Sequence, residues 1–97
     1  MEVIIFGKIN CGLCKGAQGR VTFLVEKMGL NNTVPVRFVD VNTVDGRAEG
    51  AFFDVYDAVP VTLIRNNGED LSRWEGVVPK SEDLKPYFER VHGASAD

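Results

Sequence analysis

The chain has 97 residues, 44% of them hydrophobic, and a formal charge of −3; this is one domain, whose folding buries roughly 60–65% of the unfolded surface. The acidic balance argues against nucleic acid as a bulk electrostatic partner, and no apolar run approaches the ~20 residues of a membrane span. A basic n-region, a long apolar h-region and a small-residue cleavage site are all missing at the N-terminus, so no secretory signal is read and a cytoplasmic location is expected.

In chain order, Glu2-Val3-Ile4-Ile5-Phe6-Gly7 has the β-branched and aromatic content of a buried strand. Lys8-Ile9-Asn10 then forms a loop, and a helix is expected over 12–28. Its inward stripe is Cys14, Ala17, Val21, Leu24 and Met28, spaced by threes and fours. Gly29 suits the position just past its end. Gly12, Gly16 and Gly19 are unusual inside a helix, each costing about 1 kcal/mol relative to Ala; we read them as tolerated near the first turns.

A second strand is expected over 34–41, with Pro35 at its start. Ala48, Phe52, Val55, Tyr56 and Val59 hold a helical spacing and place a second helix at 44–57, weakened by Gly46 and Gly50. Val61 to Arg65 and Asp70 to Glu75 read as a hairpin around Asn67-Gly68, a strong turn signal. Ser81 reads as the N-cap of a last helix reaching about His92, with Leu84, Phe88 and Val91 inward. Pro86 delays its regular part to near Lys85, and residues 93–97 read as a disordered tail. The order β-α-β-α-β-β-α gives an α/β domain. A mixed four-stranded sheet carries the first and third helices on one face and the second on the other.

Cys11-Gly12-Leu13-Cys14 contains the only two cysteines. With Cys11 at a helix N-terminus and Cys14 one turn on, the sulfurs come within bonding distance. Free backbone N–H groups and the positive helix end then stabilise a thiolate at Cys11. A strand, C-x-x-C and a helix in a βαβ setting read as a thiol–disulfide redox site. Cys11 is the expected attacking thiolate and Cys14 the resolving thiol. Lys8 and Lys15 flank the pair and would lower the Cys11 pKa by their charge. Leu13 offers an apolar contact surface.

Val3-Ile4-Ile5-Phe6-Gly7-Lys8 followed by Cys11-x-x-Cys14 resembles the opening of bacterial glutaredoxins. Val39-Asp40-Val41 resembles their second strand, and Ala58-Val59-Pro60 the Thr-Val-Pro before their third. The resemblance implies the thioredoxin fold. It further implies a cis bond before Pro60 that leaves the Val59 backbone free to pair with an extended substrate.

The sequence departs from the glutaredoxin pattern in three places. Gly12-Leu13 replaces Pro-Tyr, Ala58 replaces the Thr, and the Gly-Gly and acidic pair that hold glutathione do not appear. Trp74-Glu75-Gly76 and the Asn67-Gly68-Glu69 turn are more similar to thioredoxin. Yet thioredoxin's Trp before the first cysteine is Asn10 here, and its buried Asp is Ile5.

The expected activity is therefore a monomeric thiol–disulfide oxidoreductase, acting on protein or low-molecular-weight disulfides. Its electron donor is either a thioredoxin reductase, toward which the missing glutathione signature leans, or glutathione as co-substrate. Lys8, Gly12, Leu13, Val59, Pro60, Trp74, Glu75 and Gly76 are the candidate substrate-binding residues. Trp74 lines a groove or is half-buried against a helix, and the sequence leaves both open. An iron–sulfur or metal-binding dimer pooling two cysteine pairs is the alternative; a single pair supplies two of the four ligands structural zinc usually takes. No resident cofactor or metal is expected. His92, near a helix end, reads as a surface cation.

Overall fold

The computed structural model describes residues 1–95. Four strands, β1 (Glu2–Gly7), β2 (Val36–Asp40), β3 (Val61–Asn66) and β4 (Glu69–Glu75), form one sheet in the order β2-β1-β3-β4. Helices α1 (Gly12–Lys27), α2 (Val44–Phe52) and α3 (Ser81–Ser95) complete the chain. β1 runs parallel to β2 and antiparallel to β3, and β3 pairs antiparallel with β4.

β1 lies between β2 and β3 with an apolar core on each face of the sheet, so its apolar run is continuous. Val3 and Ile5 point into one core layer with Ala17, Val21, Leu24 and Val25 of α1, and Leu84 and Phe88 of α3. Ile4 and Phe6 point the other way, into a second layer with Val39, Val41, Val55, Val61 and Leu63. The period of two along a strand thus separates one apolar run into two cores.

α1 ends as its sequence directs. Gly29 takes φ +72°, and the N–H of Leu30 donates to the Val25 carbonyl at 2.9 Å, folding buried Leu30 back under the helix. In the β3–β4 hairpin Asn67 and Gly68 both have positive φ, 52° and 79°, the conformation that favours Asn-Gly in a two-residue turn.

The second helix corrects the sequence reading. It stops at Phe52, and the residues turned inward are Gly46 and Gly50. Of the residues that hold the helical spacing, Phe52 and Tyr56 are 79% and 66% exposed and Ala48 also faces solvent, while Val55 is buried beyond the helix end. The physical reason is close approach. A Cβ on Gly46 would stand 1.8 Å from the Asp40 carbonyl oxygen, and one on Gly50 3.1 Å from that of Val55. Thr43 caps this helix, its Oγ1 accepting from Gly46 N–H at 2.9 Å and donating to the Asp40 carbonyl at 2.8 Å.

α3 also differs in detail. The Lys80 carbonyl accepts from the N–H groups of Asp83 and Leu84, so Ser81 is the first helical residue and not the cap. Pro86 lies inside the helix, which begins four residues before Lys85 and extends past His92. The His92 side chain and residues 96–97 of the expected tail lie outside the described part of the chain.

Candidate active site

The site forms where β1 ends and α1 begins. Lys8-Ile9-Asn10 carries the chain off the sheet. Cys11 then takes an extended conformation (φ −134°, ψ 114°) as the N-cap of α1. Its Sγ accepts a hydrogen bond from the Cys14 N–H at 3.2 Å, which gives the sulfur one of the orphan donors at the helix start. Cys11 and Cys14 are joined in a disulfide, with their Cα atoms 5.2 Å apart. Cys11 is partly exposed and Cys14 wholly buried.

Gly7 makes room for the inner sulfur. A Cβ there would lie 2.8 Å from Cys14 Cβ, 2.9 Å from Cys14 Sγ and 3.0 Å from the Phe38 ring. Sequence reasoning placed Gly7 in the strand and missed this role. A glycine closing a buried strand just ahead of a C-x-x-C loop was the available signal.

Val59-Pro60 lies at the same end of the sheet, with a cis peptide bond. Pro60 directly precedes Val61, the β3 partner of Phe6, and is buried. Its carbonyl accepts from the Gly76 N–H at 2.7 Å, and Gly76 has φ +72°. Gly76 is therefore joined to the Pro60 segment through backbone that favours glycine. Gly12 is exposed, Leu13 is 53% exposed and Ile9 also faces solvent, so the cysteine loop carries exposed apolar side chains; Val77, next to Gly76, exposes half of its surface.

Two further candidates lie on β4, opposite the start of β3. Trp74 is half-buried, pairs with Thr62 across the hairpin and meets Tyr87 of α3 edge-on at 6.1 Å between ring centroids. This half-buried packing against a helix is one of the two arrangements left open for it. Glu75 is exposed, and its carboxylate accepts from Arg73 Nε at 2.8 Å. Arg73 also donates to the carbonyls of Phe53 and Asp54, tying β4 to the segment after α2.

Lys8 faces a different neighbourhood. With Asn42, Arg47, Tyr56 and Asp57 it lines a cavity of about 430 Å³ beside the cysteine loop. Arg47 was not singled out by the sequence, and Tyr56 was read only as part of a helical spacing, because nothing local ties a cation on one helix to an aromatic after it. A larger groove, about 740 Å³, runs between α1 and α3 and is lined by none of these residues. Among the described residues no three His, Cys, Asp or Glu side chains gather as a metal site, and no helix is long and apolar enough to cross a membrane.

No family model matches the sequence, and no curated protein matches it. Solved structures do match the fold. Thioredoxin 1 from Thermosipho africanus superposes with a TM-score of 0.73 at 16% identity, over the whole of both chains. Thioredoxin O2 from Arabidopsis thaliana, in its oxidised state, gives 0.70 at 21% identity, over 92% of this chain and 72% of that one. Thioredoxin-2 of the malaria parasite gives 0.73 at 19% identity, over 92% and 81%. The chain has the thioredoxin fold, and a close cysteine pair stands at the start of its first helix.

Proposed function

We propose that this thioredoxin-fold chain is a thiol–disulfide oxidoreductase that moves electrons by dithiol–disulfide exchange through Cys11 and Cys14. One observation carries the reading. The two sulfurs are bonded to each other at a helix start, the outer one accessible and holding a backbone N–H, the inner one buried.

In the reduced protein the Cys14 N–H and the helix end stabilise negative charge on Cys11 Sγ, making it the better thiolate at neutral pH. That thiolate attacks one sulfur of a substrate disulfide, a mixed disulfide forms, and the first substrate thiolate departs. Cys14 then attacks Cys11 Sγ: the intramolecular disulfide forms, the mixed disulfide breaks, and the proton from Cys14 passes to the second leaving thiolate. The substrate gains two electrons and the protein loses two. The exposed apolar side chains of Ile9 and Leu13 suit a protein substrate, and the Val59 backbone offers an edge for an extended segment.

We extend the reading to the electron donor. Lys8 and Arg47 put two cations, with the Asp57 carboxylate, on one cavity next to the cysteine loop, which suits a small disulfide that carries both carboxylate and ammonium groups. Glutathione is thereby a co-substrate to set against a thioredoxin reductase. The protein acts as a cytoplasmic monomer in this reading, in a compartment where a lone cysteine pair is more often catalytic than structural.

Insulin reduction tests the proposal. The wild-type protein should catalyse it, Cys11→Ser should abolish it, and Cys14→Ser should accumulate a covalent mixed disulfide on Cys11. A Cys11→Ser variant with full turnover would overturn the reading. Coupling turnover either to glutathione with its reductase or to a thioredoxin reductase then identifies the donor.

A further inference from the structure

The two sulfurs have unequal surroundings, and the difference poses a chemical problem. When an external thiolate attacks Cys11 Sγ, a new S–S bond forms to Cys11. The bond to Cys14 breaks, and its electron pair leaves on Cys14. That sulfur is fully buried, seated over Gly7 and beside the Phe38 ring. A thiolate in such a place is penalised by desolvation, which makes it a poorer leaving group. The Cys14 N–H is directed at Cys11 and so serves the other sulfur.

One buried donor lies on the Cys14 side. Thr62 is the only buried polar side chain among the described residues, and its Oγ1 has no hydrogen-bond partner there. Leaving a buried hydroxyl unpaired is unfavourable, whereas a shape-matched apolar replacement is close to neutral. The fold therefore gains nothing visible from this oxygen.

The sheet register gives the hydroxyl its address. Thr62 is the β3 partner of Ile5, and Ile5 shares a face of β1 with Gly7. Cys14 Cβ stands within 2.8 Å of where a Gly7 side chain would begin. Thr62 is thus the diagonal neighbour of the position that Cys14 fills. Such neighbours are about 7–8 Å apart or somewhat less, within reach through one bridging water or by a side-chain turn.

We propose that the Thr62 hydroxyl is the buried hydrogen-bond donor that receives Cys14 as a thiolate, directly or across one water, whenever the disulfide opens at Cys11. The O–H bond of Thr62 stays intact throughout. The proton that Cys14 later takes up is the one released by the attacking thiol. This rests on the reading of the cysteine pair as redox-active, and it adds a residue that neither cysteine's position in the sequence reveals.

Dithiothreitol opening of the protein's own disulfide is the test, followed by quenching with iodoacetamide and weighing the trapped protein. The reagent needs no protein substrate and no reductase. A failure of the redox reading would appear separately, as wild-type protein that does not turn over insulin. Thr62→Val should slow opening about tenfold, the effect expected from losing a hydrogen bond to a charged sulfur, while stability in denaturant stays at or above wild type. Thr62→Ser, which restores the hydroxyl in a smaller side chain, should open within about twofold of wild type, since the donor is retained. The proposal is overturned by wild-type opening in Thr62→Val. It is equally overturned if Thr62→Ser is as slow as Thr62→Val, which would assign the effect to packing.

Discussion

α1 and α2 cover opposite faces of the same sheet and do so by opposite means. α1 packs through side chains: Ala17, Val21, Leu24 and Val25 recur on its buried face and fill the space against Val3 and Ile5. α2 packs through their absence. Gly46 and Gly50 let its backbone approach the Asp40 and Val55 carbonyls, and its larger apolar residues, Val44 and Phe52, are 85% and 79% exposed. Apolar period reports the inward face of a helix only where side chains fill the gap. Where backbone meets backbone, the glycines mark that face.

Equal truncations on the two helices bring out the contrast most strongly. Leu24→Ala removes a fully packed core side chain and should cost about 3 kcal/mol, whereas Phe52→Ala, on an exposed ring, should stay within about 0.5 kcal/mol. Urea unfolding of both variants checks the pair; a large loss for Phe52→Ala would return that ring to the core.

The glycines give the reverse experiment. Gly46→Ala drives a methyl into the Asp40 carbonyl and should destabilise by about 2 kcal/mol or more. Gly19→Ala meets nothing within 4 Å in α1 and should stabilise by up to about 1 kcal/mol. Thermal melts of the two variants should move in opposite directions, and movement in the same direction would break the comparison.

The smallest effect is electrostatic. Arg37 of β2 pairs with Glu49 of α2, and the hydrogen bond from Arg37 holds the Glu49 carboxyl below its usual range. A carboxyl depressed in the folded state stabilises above its unfolded pKa, roughly 4.3, and loses that contribution as pH falls through the lower folded value. Both side chains are substantially exposed, 50% and 31%, which limits the pair to about 0.5 kcal/mol. Glu49→Gln should therefore lower stability slightly at pH 7 and leave it unchanged near pH 2, as denaturant titrations at the two values would register.

The same contrast explains what was legible in the sequence. β1, the hairpin at Asn67-Gly68 and the inward stripe of α1 all announce themselves locally, through composition, turn chemistry and period. Cys11 and Cys14 do so through spacing, and Pro60 through its place ahead of β3. The face of α2 was not legible, because Gly46 is silent until Asp40 is laid beside it. Gly7 and Thr62 are silent for the same reason: one matters through the sulfur packed over it, the other through a cross-strand neighbour. Trp74 could not be placed until β4 was paired and Tyr87 stood opposite. Residues whose meaning lies in a tertiary neighbour carry no local mark.

The proposed exchange chemistry depends on a division of labour between an accessible, hydrogen-bonded Cys11 and a buried Cys14. Competitive alkylation of the reduced protein with substoichiometric iodoacetamide at pH 7, with the label located by peptide mass, tests it directly. The label should fall on Cys11, with Cys14 modified only after unfolding. Preferential labelling of Cys14 in the folded protein would contradict it.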